Sequence, residues 1–354
     1  MSVISGIQQI GIGITDVYES YAWYKENLGF NVPIIDASGW AELMLPYTAG
    51  QPQKRHAIMA LNMQGGGGLE IWQYVNRKPT APEFEPKIGD LGIYITKIKC
   101  GNIEKAYNSL TKKGVQCGDL YKSPAGRPVF YFKDPSGNIF QMIELNVLFK
   151  KTRYDNGGVY GAMIGVSDMS RSLEFYVNVL GYDETVYDTT GVFEDYINLP
   201  GGDQPVRRVL LTHKNRRKGA FSNLLGQTEI ELISLTQSEG RKIFKNRLWG
   251  DLGFIHLCFD IINMDEMKSV CGRNGYEFTV DSASGVSTQN KSFDMGQGAG
   301  RFAYVEDPDG TLIEFVETHK IPVMQKFGWY IDLTKRDPYK PLPNFMLKML
   351  DFGK

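Results

Sequence analysis

The sequence is sparing in the features that most quickly place a protein. Four cysteines (Cys100, Cys117, Cys258 and Cys271) are scattered over 354 residues with no CxxC pair, which excludes a disulfide scaffold and a thiolate zinc finger. Neither sign of charge prevails. Against 39 Lys and Arg stand 40 Asp and Glu, a formal net charge of −1, which argues against the broad basic footprint of a nucleic-acid partner. No apolar run approaches the ~20 residues of a membrane helix. The opening Met1-Ser-Val-Ile-Ser-Gly-Ile-Gln8 lacks the basic and apolar segments of a secretory signal. A cytoplasmic protein with no membrane partner is the expectation. The rest is ordinary globular composition, 42% hydrophobic and 22% charged, in a chain long enough for about two domains.

What the chain does have is internal repetition. Ile10-Gly-Ile-Gly-Ile-Thr-Asp16 resembles Met163-Ile-Gly-Val-Ser-Asp168, a short strand ending in Asp. Each is followed by an amphipathic, aromatic stretch (Glu19-Ser-Tyr-Ala-Trp-Tyr24, Arg171-Ser-Leu-Glu-Phe-Tyr176) that stops at Leu28-Gly29-Phe30 or Leu180-Gly181-Tyr182, at a constant offset of 152. Asp16 and Asp168 suit N-caps, and Gly29 and Gly181 suit the left-handed residue that ends a helix, so both stretches are predicted helices. A second pair repeats at offset 161: Asp90-Leu-Gly-Ile-Tyr-Ile95 with Asp251-Leu-Gly-Phe-Ile-His256, then Asn102 with Asn263 and Gly114 with Gly275. Both end in an Asp-Pro-x-Gly turn and a strand, Asp134 to Gln141 and Asp307 to Glu314, in which Pro presets φ and Gly accepts φ > 0. Asp155-Asn-Gly-Gly158 reads as the joint between the halves.

With these marks, D-x-x-x-S-x-x-F/Y-Y…L-G-F and D-P-x-G-x-x-x-E/Q, residues 7 to 317 resemble the vicinal oxygen chelate superfamily, which includes glyoxalase I, bleomycin-binding proteins and extradiol dioxygenases. The resemblance implies an α+β fold of four βαβββ modules paired into two tandem open-barrel halves. The expected N-terminal half is 1–150 (modules 7–75 and 89–146) and the C-terminal half 157–320 (modules 158–236 and 251–317). The tail 321–354, with Phe327, Trp329, Tyr330 and Phe345, is expected to pack on the body.

The resemblance also implies one divalent metal, Fe, Zn, Mn or Ni, held by the first and last strands of paired modules. In the C-terminal half these positions offer Glu231, His256 and Glu314 as ligands, with Glu231 or Glu314 doubling as general base. The fourth position falls on Gly161, which has no side chain; a bulge would bring Tyr160 there instead. The matching N-terminal positions are Gln9, Glu70, Ile95 and Gln141, and this half reads as degenerate and structural. Alternation in Phe254-Ile-His256-Leu-Cys258-Phe-Asp260 puts Ile255, Leu257 and Phe259 under a helix and His256, Cys258 and Asp260 on the cavity side.

Each candidate has a plainer alternative. His256 could be a satisfied core histidine, and Glu231, two residues after Glu229, could sit on a solvent-facing strand. His213 could be a general base or simply exposed, and the basic run His213 to Lys218 could attract an anionic substrate or be a solvated loop. Gly65–Gly68 lacks the Lys-Ser/Thr of a phosphate loop, and Gly296-Gln-Gly-Ala-Gly300 opens no helix. The leading expectation is a metal-dependent enzyme of lyase, isomerase or epimerase type, polarising a small substrate with vicinal oxygens. The alternatives are a ring-cleaving dioxygenase, which Gly161 disfavours, and a metal-free protein that sequesters a small molecule.

Overall fold

The structure is a computed structural model and describes residues 3–283, 293–294, 299–324 and 329–351. Gly296–Gly298 of the glycine-rich stretch and Phe327 of the tail therefore lie outside the described residues. The first module is β1 (Val3–Gly13), α1 (Val17–Leu28), β2 (Val32–Trp40), β3 (Lys54–Leu61) and β4 (Gly68–Tyr74). The second is β5 (Gly92–Cys100), α2 (Ile103–Lys112), β6 (Tyr121–Lys122), β7 (Pro128–Lys133) and β8 (Ile139–Glu144). The third is β9 (Asn156–Gly165), α3 (Met169–Asn178), β10 (Glu184–Gly191), β11 (Val206–Thr212), a short α4 (Ser222–Leu225) and β12 (Glu229–Leu235). The fourth is β13 (Gly253–Ile262), α5 (Met264–Arg273), β14 (Val280–Asp281), β15 (Phe293–Asp294), β16 (Ala299–Glu306) and β17 (Leu312–Met324), after which β18 (Trp329–Asp332) and α6 (Asn344–Lys348) form the tail.

The helices begin and end on the residues the repeat singles out. Asp16 accepts from the backbone N–H groups of Tyr18 and Glu19, and Asp168 from those of Ser170 and Arg171. Gly29 and Gly181 both take φ +68°, a conformation in which a side chain would be strained. Among the described residues, no helix is long and apolar enough to cross a membrane.

The modules form two curled sheets, and neither sheet is built from one sequence half alone. One sheet runs β14-β16-β17-β13-β1-β4-β3-β2, with β15 and β18 added at its side; the other runs β10-β11-β12-β9-β5-β8-β7-β6. The first module thus pairs with the fourth through β1 and β13, and the second with the third through β5 and β9, antiparallel in both cases. Each sequence half, 1–150 and 157–320, is divided between the two sheets. A repeat offset identifies equivalent modules and is silent on which module's first strand lies beside which.

One face of each sheet meets the helices in a shared core. Ile10, Ile12, Leu69, Leu257 and Ile313 from the first sheet join Ile98, Phe140, Ile164 and Leu232 from the second, with Tyr24, Leu110, Phe175 and Met267 from the four long helices. Each fully buried side chain of this kind contributes roughly 1.5–3 kcal/mol of transfer free energy. The alternation of β13 slips once. A register shift at Gly11/Ile12 sends Phe254 to this core and Ile255 to the opposite face, correcting the expected place of Ile255.

Within each sequence half the tie is made by tyrosine. Tyr24 of α1 donates to Asp134 Oδ2 at 2.5 Å and Tyr176 of α3 donates to Asp307 Oδ2 at 3.0 Å. The second aromatic of the helix motif therefore reaches the Asp-Pro-x-Gly turn of the next module. In the tail, β18 pairs with β17, Leu342 and Leu347 are buried against Met59, Leu61 and Leu224, and Phe345 stays exposed.

Candidate metal centre

On four neighbouring strands of the first sheet, core residues alternate with polar ones. Ile10 and Ile12, Leu69 and Ile71, Leu257 and Phe259, and Ile313 and Phe315 face the helices. The opposite, concave face therefore receives Gln9 of β1, Glu70 of β4, His256 of β13 and Glu314 of β17. Pairing fixes their register: Gly11 lies beside Glu70 and beside His256, and Gln9 and Glu314 both lie beside Cys258. The structure brings Glu70, His256 and Glu314 together, with one possible ligand atom from each within 4.8 Å of the other two. His256 Nε2 is 3.2 Å from Glu70 Oε2 and 3.1 Å from Glu314 Oε2.

Gly11 makes this possible. A Cβ on it would lie 2.4 Å from His256 Cε1 and under 3 Å from both ring nitrogens, so the imidazole occupies the space a side chain at position 11 would take. His256 is completely buried, and Glu70 and Glu314 keep 15% and 10% of their side chains exposed. Burial opposes the charged imidazolium, but Glu314 and Glu70 outweigh it and hold the His256 pKa up, at about 10. Burial likewise pushes Glu70 up, while His256 and Arg55 bring it below its ordinary value.

The donors fit a divalent cation. Gln9 Oε1, both His256 ring nitrogens and Glu314 Oε2 are buried without a well-aligned hydrogen bond among the described residues. Four such atoms from one concave face would each be costly if left unsatisfied. One imidazole, two carboxylates and an amide oxygen form a mixed N/O set suited to Zn, Ni, Mn or Fe. The Cys258 thiol, on the same face, is held well up by burial and by Glu314; it donates weakly to Gln8 Oε1 at 3.7 Å.

Glu231, expected with His256 and Glu314, lies in the other sheet and cannot join them. It is buried between Lys97 Nζ at 2.6 Å and Arg208 Nε at 2.7 Å, and accepts from the hydroxyls of Tyr187 and Tyr196. Burial pushes it up, but Arg208 and Lys97 prevail and hold its carboxyl far below the usual range, so it is neither a ligand of the His256 centre nor a poised base. Lys97 also pairs with Glu229 at 2.7 Å, Arg127 with Glu229 at 2.6 Å and Arg208 with Asp195 at 2.7 Å. Three cations and three carboxylates thus neutralise one another where the second sheet could have held an ion.

Register makes Gly161, Glu231, Ile95 and Gln141 of the second sheet the counterparts of Gln9, Glu70, His256 and Glu314. A Cβ at Gly161 would meet the Glu229 carbonyl oxygen at 2.1 Å, so no side chain fits there. Tyr160 is beside Arg127 and Glu229, and burial and Glu229 push its hydroxyl up. Ile95 is core, and Gln141 donates to the Tyr131 hydroxyl at 2.8 Å. His213 is buried and occupied by the Asn215 carbonyl and the Thr228 N–H; burial and Arg217 push it down to about 4. Gln9 and Glu70, read from the sequence as structural, lie with His256 and Glu314 on one face of the first sheet, whereas in the second sheet Gly161 and Ile95 offer no donor and Glu231 is taken by Lys97 and Arg208. The signal was present: only the first and fourth modules have a donor side chain at all four positions.

The fold has relatives among solved structures. Glyoxalase I from Zea mays is 12% identical, with a TM-score of 0.53 over 90% of this chain and 92% of that one. A proposed dioxygenase from Bacillus subtilis is 14% identical, with a TM-score of 0.54 over 89% of this chain and 86% of that one. At these identities the likeness is one of fold. No curated protein matches the sequence. The family model described as Glyoxalase/Bleomycin resistance protein/Dioxygenase superfamily matches residues 6–142 and 160–315. With both stretches covered and all four modules in place, the chain belongs to the Glyoxalase/Bleomycin resistance protein/Dioxygenase superfamily.

Proposed function

We propose that the protein is a metal-dependent enzyme of lyase, isomerase or epimerase type, acting on a small substrate with two vicinal oxygens. The observation that carries this is the grouping of Glu70, His256 and Glu314 on three strands, with the amide oxygen of Gln9 on the strand between. Two carboxylates turned toward one cavity repel each other unless a cation lies between them. When bound there, a divalent ion supplies Lewis acidity to the substrate oxygens. Gln9 and His256 are suited to hold the ion; Glu70 or Glu314, each partly exposed, can also take a proton from a substrate carbon. Tyr304, paired with Glu314 across β16 and β17, and the rings of Trp72 and Trp249 close one side and keep bulk water from that proton.

The ring-cleaving reading has less support, because the position its two-histidine pattern would fill carries Gln9. Sequestration without metal would leave the buried donors of Gln9 and Glu314 unexplained. The test is metal analysis of the purified protein and of the His256→Ala and Glu70→Gln variants after reconstitution. One ion per chain in the wild type, lost in both variants, supports the proposal. A wild type that binds no divalent ion after reconstitution defeats it.

A further inference from the structure

Beside the three candidate ligands lies a continuous arc of rings. Trp72 follows Glu70 by two residues on β4, so both lie on the concave face. Its ring meets that of Trp249 edge to face with centroids 4.1 Å apart; Trp249 is 6.2 Å from Tyr304, and Tyr304 is 5.6 Å from His256. Met44, Ala57, Ile255 and Val280 belong to the same cluster. Trp72 and Trp249 are 2% and 5% exposed, yet neither indole N–H makes a hydrogen bond among the described residues. The Trp72 N–H leans toward Glu70 and helps to hold that carboxyl low; the Trp249 N–H has no partner at all among the described residues. A buried donor left alone is unfavourable by about 1–3 kcal/mol. The Trp249 N–H is such a donor, and the Trp72 N–H can turn from Glu70 to share an acceptor that arrives with a ligand. The Arg55 guanidinium lies 5.1 Å from the Trp72 ring centroid and favours a ligand that brings negative charge.

We propose that the Trp72 and Trp249 indole N–H groups are the oxygen-recognising wall of this centre and that the ligand class is a small aryl α-hydroxy acid. This rests on the reading of Glu70, His256 and Glu314 as metal ligands. The hydroxyl and one carboxylate oxygen of such an acid are the vicinal pair for the metal. The second carboxylate oxygen is then free to accept from the indoles, and the aryl ring stacks within the arc of Trp72, Trp249 and Tyr304. Neutral donors suit an anionic oxygen here, because a cationic side chain in their place would be drawn to Glu70 or Glu314 instead.

The test uses the full-length protein loaded with Mn(II), with mandelate as the probe and 1-phenyl-1,2-ethanediol as its match. The diol has the same ring and the same two vicinal oxygens and lacks the third. Binding is followed by calorimetry in the wild type and in Trp249→Phe and Trp72→Phe, which keep a ring and delete the N–H. Mandelate is expected to bind the wild type at least tenfold more tightly than the diol, partly through its anionic carboxylate at the metal, and Trp249→Phe to shrink that preference severalfold while keeping its metal and its affinity for the diol. Equal affinity of the wild type for the two probes, no mandelate binding to the loaded wild type, or full preference in both variants would each overturn the inference. Failure of the wild type to load metal defeats the reading of the centre itself and is seen before any probe is added. Should Trp249→Phe fold poorly, the indole N–H signals of the 15N-labelled wild type loaded with diamagnetic Zn(II) in place of Mn(II) decide. Downfield shifts of two buried indole protons with mandelate and not with the diol support the proposal, and unmoved signals refute it.

Discussion

Replacing Gly11 with alanine isolates the geometry of the candidate centre from its chemistry. The backbone at Gly11 is not in the left-handed region, so alanine introduces no conformational strain. Its methyl group would nonetheless sit 2.4 Å from His256 Cε1, 2.7 Å from Nδ1 and 2.8 Å from Nε2. Ordinary carbon contacts begin near 3.5 Å, so the imidazole must retreat by about 1 Å. It has little space for this, being fully buried with the Tyr304 ring 5.6 Å away. Overpacking of this kind destabilises by roughly 1–3 kcal/mol. Metal sites tolerate only about 0.2 Å of ligand displacement, so the affinity for Zn(II) or Mn(II) is expected to fall far more than the stability, by about 10- to 100-fold. Urea denaturation measures the first quantity and calorimetric metal titration the second. Gly39→Ala is the control, because nothing lies within 4 Å of a Cβ there. A Gly11→Ala protein that is destabilised yet binds metal as tightly as the wild type would refute the placement of His256 over β1.

The second sheet should respond differently. Lys97→Met leaves Glu229 and Glu231 short of one buried partner, and urea unfolding should show a loss of about 3–5 kcal/mol with metal stoichiometry unchanged; a simultaneous loss of metal would show the two sheets to be coupled. Burial raises Asp260 to about 7, with Glu317 adding to the rise, so the native state holds this proton more strongly than the unfolded chain. Its contribution to stability is therefore full below pH 4, falls as pH rises toward 7, and reaches about 4 kcal/mol of penalty at most above that. Asp260→Asn should accordingly stabilise the protein at pH 8 and leave it unchanged at pH 4, and equal effects at both values would contradict this. Tyr24→Phe removes the hydroxyl that reaches Asp134 and should cost about 1–3 kcal/mol in thermal or urea unfolding, with no effect on metal affinity.

The modules were legible in the sequence because each is marked by local chemistry. Asp16 and Asp168 cap helices, Gly29 and Gly181 end them, and Asp134-Pro and Asp307-Pro open turns, all through contacts between near neighbours in the chain. His256 and Glu314 were legible for a related reason: apolar residues on either side of each assign a face. Gln9 and Glu70 were missed as candidate ligands because their place beside His256 depends on β1 lying beside β13, a pairing that no local pattern encodes. Glu231 was misplaced for the same reason. Its neighbours Lys97 and Arg208 come from β5 and β11, and a long-range ion pair leaves no periodic trace. Ile255 shows a smaller version of this limit, since strict alternation cannot anticipate a bulge.

The pairing of the first module with the fourth also has a consequence for the order in which the molecule can be made. The strands of the second sheet span residues 92–235, and all of its pairings can form once that stretch has left the ribosome. The sheet carrying the candidate centre cannot close then, because Gln9 and Glu70 must wait for His256 and Glu314, the last of them about 300 residues downstream of Gln9. Such contacts have the high sequence separation that slows folding, and until they form, the β1 edge that later pairs with β13 is open to unwanted association. Synthesis from the N-terminus therefore completes the inner sheet first and the chemical centre last, so a chain that stops short of β17 can have a finished sheet and no site.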